Sequence, residues 1–162
     1  MIVTTEELRG IREQHAADVI VLTHGVYDIM HSGHIEHLEI AKSLGSVVAV
    51  ALWCDDNVAQ RKGPERPINS LGNRLRVMDA LRMVDYVFEV PGVGTTDVLM
   101  KPILEGLQPD VYLLSDQHGM FGEADLEHET GRKTTIVYDE TYSQKRQSTS
   151  AIVSKIRDSV NG

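Results

Sequence analysis

Short apolar runs alternate along this chain with segments in which apolar residues recur at helical spacing. Five runs predict buried strands, at residues 19–22, 47–52, 86–88, 111–114 and 135–138. The runs are almost continuously apolar or β-branched, a pattern typical of parallel strands that are covered on both faces.

Between the strands, apolar spacings of three and four predict amphipathic helices. The positions concerned are Ile35, Leu38, Ala41 and Leu44, then Leu75, Met78 and Leu81, then Val98, Leu99, Ile103 and Leu107, and finally Ile152, Val153 and Ile156. Gly45 is expected to cap the first of these helices. Near the amino terminus, Thr4 and Glu7 resemble a capping box that opens a helix with Leu8 and Ile11 turned inward.

Strand–helix alternation predicts the α/β class, with a single doubly wound (Rossmann-like) parallel sheet and helices on both faces. Residues 1–162 are expected to form one domain, with an N-terminal helix within residues 1–18 appended to the core. In such folds the ligand lies beyond the carboxyl ends of the strands. The site is therefore expected just after Leu22, Leu52 and Leu114.

Composition and charge limit the kinds of partner that the chain is expected to bind. The 162 residues are 41% hydrophobic, enough for one core, and 16 Lys+Arg against 24 Asp+Glu give a net charge of −8. An acidic chain argues against general binding to nucleic acid or anionic membranes. The single cysteine, Cys54, cannot form an intramolecular disulfide, and the first 20 residues show no signal peptide. A cytoplasmic protein without a membrane span is expected.

The loop after the first strand carries the candidate chemistry. Residues 23–34 read THGVYDIMHSGH and run directly into a predicted helix, where unpaired N–H groups and the helix dipole favour an anion. Gly25 permits close approach of a ligand to the backbone, and Gly33 removes bulk at the helix entry. His31 and His34 lie on one side of the first turn and can stabilise charge in a transition state.

Two other interpretations of these histidines stay open. They could serve only to cap the helix. They could also form a zinc site together with His37, although a thiolate partner is missing from the segment. We interpret His37 instead as a residue of the helix surface.

The order of motifs resembles a known family. Gly25, Asp28, His31, Gly33 and His34 match the GxxDxxHxGH pattern of the HxGH nucleotidyltransferase superfamily, in its cytidylyltransferase-like branch. The run KGPERPIN at residues 62–69, followed by an arginine, is similar to the KGxxRPI…R stretch of members that make ADP-heptose. Ser-Thr-Ser at residues 148–150 is similar to the motif that opens the last helix in these families.

The resemblance implies an enzyme that joins the NMP part of ATP or CTP to a small phosphorylated acceptor and releases pyrophosphate. A sugar phosphate or polyol phosphate is favoured. Cytidylylation of phosphoethanolamine, glycerol 3-phosphate or a phosphonate, and adenylylation of the FAD synthetase type, stay open, as does a nucleotide-binding module without turnover. Family resemblance also implies Mg²⁺ with the triphosphate, held mainly by phosphate oxygens, and a homodimer.

The motifs assign residues to roles. The expected catalytic residues are His31, His34, Lys42 and Lys62. The expected nucleotide-binding residues are Thr23, Gly25, Val26, Tyr27, Gly33, His34, Arg74, Asp116, Ser148 and Thr149. The expected acceptor-binding residues are Asp28, Asp55 and Arg66, and no side chain is assigned to a metal. The arginines nearby, Arg61, Arg76 and Arg82, are interpreted as a solvated face.

Several positions depart from the family pattern or allow a second interpretation. His24 stands where the family commonly has Asn, and residues 114–118 read LSDQH where ADP-heptose enzymes have a lysine-containing run. That departure leaves the base and the acceptor open, and Lys145 or Arg146 could supply the missing charge. Lys42 could be a solvated helix lysine, and Asp55 could cap the helix that follows it.

Overall fold

The computed structural model describes residues 1–115, 126–139 and 148–160. A short 3-10 turn (Thr5–Glu7) leads into α1 (Leu8–Gln14). The remaining helices are α2 (Ser32–Leu44), α3 (Asp55–Lys62), α4 (Leu71–Asp79), α5 (Thr96–Leu107) and α6 (Thr149–Val160). The strands are β1 (Ile20–Gly25), β2 (Val47–Trp53), β3 (Tyr86–Val90), β4 (Val111–Leu114), β5 (Leu126–Glu127) and β6 (Lys133–Tyr138).

The described strands form one six-stranded sheet in the order β3-β2-β1-β4-β6-β5. The pairs from β3 to β6 are parallel, and Val21 of β1 lies opposite both Val48 of β2 and Val111 of β4. The predicted doubly wound α/β fold is therefore confirmed. The short edge strand β5, antiparallel to β6, was not predicted, because two residues are too few to show a hydrophobic period.

Helices cover both faces of the sheet, which explains why the strand sequences are continuously apolar. Alternate residues such as Ile20 and Leu22 pack with α1, α3 and α5, and the residues between them, such as Val21, pack with α2 and α4. The strand period of two sends neighbouring side chains to opposite faces, so a strand in the middle layer needs apolar residues throughout.

The first residues of the chain pack into the same core. Leu8 and Ile11 of α1 are buried, and Ile2 forms an isolated parallel bridge with Val87 of β3. The Thr4 N–H donates to the Glu7 carboxylate at 2.7 Å, as the capping-box motif predicts. In the described part of the chain, no helix has the length and apolar character that crossing a membrane requires.

Gly45 follows α2 as predicted, but the structure requires a glycine there for a reason other than helix capping. Its φ of −165° is ordinary extended backbone rather than the left-handed conformation of a glycine cap. A Cβ atom at this position would lie 2.5 Å from the Val19 carbonyl oxygen. Gly45 is therefore required by the close approach of two backbones at the turn into β2.

Candidate active site

A cavity of about 270 Å³ opens at the carboxyl ends of the parallel strands, where the fold class predicts the ligand. Many of the predicted site residues that the structure describes line it. They are Gly25, Val26, Tyr27, Asp28, His31, His34, Lys62, Arg66, Ser148 and Thr149. Segments that are far apart in sequence thus converge on one space.

The two motif histidines form a stacked pair at the start of α2. The ring centroids of His31 and His34 are 3.8 Å apart and their planes are inclined by 25°. His31 occupies the N-cap position, yet within the described residues its side chain makes no capping hydrogen bond to the helix. Helix capping therefore does not explain the imidazole of His31, and both rings line the cavity. Gly33 is buried between them in the first turn.

Tyr27 shapes the loop before α2. Tyr27 has a φ of 50°, and its ring packs against His34 with centroids 5.0 Å apart. A Cβ atom on Gly25 would lie 2.6 Å from Cε2 of that ring. The structure therefore shows a reason for Gly25 besides the expected approach of a ligand, namely room for the Tyr27 ring.

Asp28 organises the loop that carries the cations. Its carboxylate accepts hydrogen bonds from the backbone N–H groups of Ile68 at 2.9 Å and Asn69 at 2.8 Å, and it pairs with Arg66 at 2.7 Å. Asp28 is buried, and both of its oxygens are engaged in these contacts. The structure therefore gives this predicted acceptor-binding residue a positioning role.

Lys62 and Arg66 bring positive charge to the cavity. Burial lowers the pKa of the Lys62 ammonium, and the charge of Arg66 lowers it further, while Asp28 acts in the opposite direction. Two cations share a partly buried space with one carboxylate that is already hydrogen-bonded. An anion bound between them would offset both the burial and the mutual repulsion.

Arg74 is buried and bonded to protein rather than open to a nucleotide. Its guanidinium donates to the carbonyl oxygens of Asn69 at 3.1 Å, Val26 at 2.7 Å and Trp53 at 2.8 Å, and to the Asp55 carboxylate at 2.7 Å. It is 2% exposed. The predicted phosphate contact for Arg74 is therefore corrected: this side chain ties together the loops that form the cavity.

Asp55 belongs to the same arrangement. Besides its pairing with Arg74, its carboxylate accepts a hydrogen bond from the backbone N–H of Leu71 at 3.1 Å, at the start of α4. The structure places this predicted acceptor-binding residue in a link between α3 and α4. The alternative interpretation, that Asp55 caps a helix, is therefore partly correct. The helix that it bonds is α4, however, and not α3, to which it belongs.

Lys42 lies away from the cavity. Its ammonium donates to the Ser46 carbonyl oxygen at 2.6 Å and to Asp85 at 2.9 Å, at the amino end of β2. Lys42 comes ten residues after Ser32, so at 1.5 Å per residue it is about 15 Å along the helix from its start. The expected contact of Lys42 with phosphate is therefore not supported by its position.

A buried polar chain runs behind the cavity. The Thr23 hydroxyl and Nε2 of His37 are 2.8 Å apart, and Nδ1 of His37 lies 2.8 Å from the Asp139 carboxylate. His37 is 1% exposed, so its interpretation as a helix-surface residue was wrong. Thr23, predicted to bind nucleotide, is fully buried in this chain of contacts and does not face the cavity.

Sequence reasoning missed the aromatic floor of the cavity, formed by His24 and Trp53. Their rings meet edge to face with centroids 5.1 Å apart, and Nδ1 of His24 lies 2.7 Å from the Tyr112 hydroxyl. Burial lowers the pKa of His24 to about 4, with smaller contributions from the charges of Arg61 and His37, so the ring is neutral at pH 7. Both missed residues stand at the ends of strands, the position that marks a ligand site in this fold.

Arg61 supports this floor from α3. Its guanidinium lies 4.6 Å from the centroid of the Trp53 ring and donates to the Gly94 carbonyl and the Thr96 hydroxyl, both at 3.0 Å. Arg61 is exposed, as its interpretation as a solvated residue predicts, but it also has these contacts with the protein. Its charge fixes the indole through a cation–π contact.

The hydroxyl groups of the serine and threonine in the last motif form hydrogen bonds with the protein backbone. The Ser148 hydroxyl accepts a hydrogen bond from the Ala151 N–H at 3.2 Å, and the Thr149 hydroxyl donates to the Ile29 carbonyl at 3.3 Å. These bonds seat the start of α6 beside the histidine loop. Asp116, Lys145 and Arg146 lie outside the described residues.

Nothing in the described ranges resembles a protein-built metal cage. There, no group of three or more His, Cys, Asp or Glu side chains is arranged to hold a metal ion. The acidic side chain at the cavity, Asp28, has both oxygens occupied by N–H donors and Arg66. The zinc interpretation of the histidines therefore has no support in the described geometry.

Comparison with known proteins agrees with the motifs. Residues 22–158 match the family model described as "Cytidylyltransferase-like". The chain is 33% identical over 159 residues to the bifunctional protein HldE of Pseudomonas savastanoi pv. phaseolicola, covering 97% of this chain and 31% of that protein. It is 41% identical over 93 residues to HldE of Coxiella burnetii, covering 55% of this chain and 20% of that protein.

Two solved structures share the fold. A lipopolysaccharide core biosynthesis protein from Thermoplasma volcanium superposes with a TM-score of 0.56 at 29% identity, covering 75% of this chain and 95% of that one. Pantoate-beta-alanine ligase from Francisella tularensis gives a TM-score of 0.58 at 14% identity, covering 85% of this chain and 66% of that one. The second likeness concerns the fold alone. The chain spans about a third of the length of the HldE relative from Pseudomonas.

Proposed function

The chain belongs to the cytidylyltransferase-like family, and from that premise we propose that it transfers the nucleotidyl group of ATP or CTP to a small phosphorylated acceptor. A sugar phosphate is the favoured acceptor, because the KGPERPI run resembles members that make ADP-heptose and because HldE proteins are among the relatives. Polyol phosphates and the other phosphorylated acceptors of the family remain alternatives for the same chemistry.

One observation carries the proposal. The stacked pair of His31 and His34 and the cations Lys62 and Arg66 line the same cavity, although they come from different segments of the chain. Imidazole donors beside a cation pair suit a reaction in which negative charge builds up on phosphate oxygens. The helix start at Ser32 adds backbone N–H groups and a dipole of the same sign.

In the proposed step, an acceptor phosphate oxygen attacks the α-phosphorus of the nucleotide in line. A new P–O bond forms, the bond between the α-phosphorus and the bridging oxygen breaks, and pyrophosphate leaves with that electron pair. His31 and His34 would donate hydrogen bonds to the α-phosphate and the leaving group. Lys62 and Arg66 would hold the acceptor phosphate against its repulsion from the triphosphate. The acceptor supplies its own nucleophile, so catalysis consists of positioning and charge stabilisation.

Magnesium would enter with the triphosphate. The described residues offer it no unoccupied carboxylate in the cavity, since the oxygens of Asp28 are engaged. Phosphate oxygens and water would therefore be its ligands, as Mg²⁺ readily accepts. The homodimer and the cytoplasmic location stay predictions from resemblance and composition, and sedimentation of the purified chain would test the first.

The proposal is tested by pyrophosphate release. Purified protein is incubated with Mg²⁺ and each of ATP, CTP, GTP and UTP against a panel of phosphorylated sugars and polyols. We expect release with ATP or CTP and an acceptor of this class, and we expect His31→Ala and His34→Ala each to lower the rate by about a hundredfold or more.

His15→Ala is the matched control, because His15 pairs with Asp18 and Tyr86 at the amino end of the sheet. It should release pyrophosphate at the rate of the wild type. Unchanged release from His34→Ala, in a preparation free of other transferases, would contradict the assignment.

A second candidate function has one observation in its favour. Two of the cations expected at the phosphates, Lys42 and Arg74, are bound elsewhere by protein groups. A module that binds nucleotide without turnover would fit this reduced charge. Nucleotide binding by calorimetry, with no pyrophosphate released for any acceptor in the panel, would favour this second function.

A further inference from the structure

The floor of the cavity contains a neutral hydrogen-bonding group that the proposed step does not use. His24 projects from β1 between Trp53 of β2 and Tyr112 of β4, with ring centroids 5.1 Å and 5.6 Å away. It lines the cavity, and its Nδ1 is 2.7 Å from the Tyr112 hydroxyl. Two aromatic neighbours therefore fix the ring on either side.

The protonation state of the His24 imidazole follows from its burial and its contact with Tyr112. Tyr112 is fully buried, and burial raises the pKa of its phenol, so the hydroxyl keeps its proton and can donate a hydrogen bond to Nδ1. Burial lowers the pKa of His24 to about 4, so the imidazole carries a single proton at neutral pH. In the tautomer whose Nδ1 accepts from the Tyr112 hydroxyl, that proton is on Nε2. Nε2 is also the ring nitrogen without a hydrogen bond to the described residues.

The position of His24 indicates which substrate it meets. Side chains of β1 alternate between the faces of the sheet, and His24 lies on the face of Leu22, which packs with α3 and α5. Trp53 lies under Arg61 of α3, and that helix ends at Lys62. His31 is the N-cap of α2 and His34 lies in its first turn, and α2 packs on the opposite face. His24 is therefore on the side of the cavity where α3 ends at Lys62, one of the cations that would hold the acceptor phosphate.

We propose that His24 is a specificity-determining residue that donates a hydrogen bond from Nε2 to an uncharged hydroxyl oxygen of the acceptor, with Tyr112 as the positioning residue that fixes its tautomer. This inference rests on the proposed function, since it concerns the acceptor of that reaction. The substrate class it selects is a phosphate ester with a hydroxyl close to the phosphate, as in a sugar phosphate or a polyol phosphate. The edge of Trp53 adds an apolar wall suited to the C–H groups of such a molecule.

The chain provides its own reporter for a binding test that needs no turnover. Trp53 is the single tryptophan and lines the cavity. Its fluorescence is followed during titration with mannose 1-phosphate, glycerol 3-phosphate and propyl phosphate, with and without a non-hydrolysable ATP or CTP analogue. Propyl phosphate has the same charge and the same carbon chain as glycerol 3-phosphate but lacks both hydroxyls. We expect the wild type to bind a hydroxylated ester about tenfold more tightly than propyl phosphate.

Two substitutions of His24 separate the donor from the ring's structural contact. In His24→Asn the amide reaches only the place of Nδ1, so it can bond Tyr112 but offers nothing to a ligand. In His24→Gln the amide N–H reaches about as far as Nε2. We expect His24→Asn to lose the tenfold preference and His24→Gln to keep most of it, with propyl phosphate bound equally by both.

A pair of tyrosine substitutions tests the tautomer. Tyr112→Phe removes the hydroxyl behind His24 and should lower the preference about threefold. Tyr86→Phe is matched to it, because the Tyr86 hydroxyl also bonds a histidine, His15, at 2.9 Å but near the amino end of β3. It should leave the preference unchanged. Thermal unfolding of every variant verifies that the fold is intact.

The outcomes are separable from those of the proposed function. Any of three results would overturn the role of His24. His24→Asn could retain the preference, the wild type could bind all three esters with equal affinity, or the His24 variants could lose affinity for the nucleotide analogue alone. If the preference follows His24 while no acceptor releases pyrophosphate, the inference stands and the proposed reaction fails.

Discussion

Replacing Arg74 by lysine distinguishes a phosphate-binding cation from one that holds the cavity together. Both side chains carry a positive charge, but a lysine ammonium cannot reproduce the planar fork that donates to the carbonyl groups of Val26, Trp53 and Asn69. An ammonium at this position could satisfy one of these acceptors. The remaining two would be left without their donor, at about 1–3 kcal/mol for each that stays buried.

We therefore expect Arg74→Lys to lower the free energy of unfolding by about 2–6 kcal/mol, a large share of the 5–15 kcal/mol typical of a domain. Urea unfolding followed by circular dichroism measures it. Arg76→Lys, on the exposed side of the same helix, is the matched control and should leave the midpoint unchanged. An unchanged midpoint in Arg74→Lys, together with weaker nucleotide binding, would refute the structural role and restore the phosphate contact.

Three further expectations follow from single sites. Gly25→Ala should displace the Tyr27 ring, because the new Cβ would lie 2.6 Å from it, so stability and pyrophosphate release should both fall. The control is Gly72→Ala in α4, where no atom lies within 4 Å of the new Cβ. Its free energy of unfolding in urea should rise by about 0.5–1 kcal/mol. His37→Phe removes two hydrogen bonds inside the core and should lower the free energy of unfolding by about 3 kcal/mol; an unchanged midpoint would show that these bonds do not stabilise the fold. Burial lowers the pKa of His24 from 6.5 to about 4, so the unfolded chain binds a proton there between these pH values that the folded protein does not. Stability should therefore decline as the pH falls through this window, and a decline of the same size in His24→Asn would exclude this ring as a source.

The stacked histidines show what local sequence can specify. Residues three apart at a helix start share one side of the first turn, so the pairing of His31 and His34 required only the helix period and the position of the loop after β1. The same holds for the alternation of strands and helices, which depends on apolar spacing within each segment. The position of Lys42 also follows from local sequence, since the rise per residue of a helix already places it about 15 Å from the helix start.

The arginines show what local sequence leaves open. Arg66 and Arg74 belong to one motif and have the same chemistry, yet one lines the cavity and the other is buried and bonded to three separate segments of the chain. His37 is separated from Asp139 by 102 positions, so its burial depends on β6 arriving beside β4. The contacts of His24 likewise come from strands on either side of β1.

The sequence by itself therefore determined the α/β class, the end of the sheet that holds the site, and the histidine pair at its centre. Each of these follows from the spacing of residues that are neighbours along the chain. The tertiary structure decided which cations face the cavity and which hold the loops, and it exposed the neutral floor of His24, Tyr112 and Trp53. Those assignments depend on burial and on contacts between distant strands, because the same side chain binds a ligand where it is open and protein groups where it is enclosed.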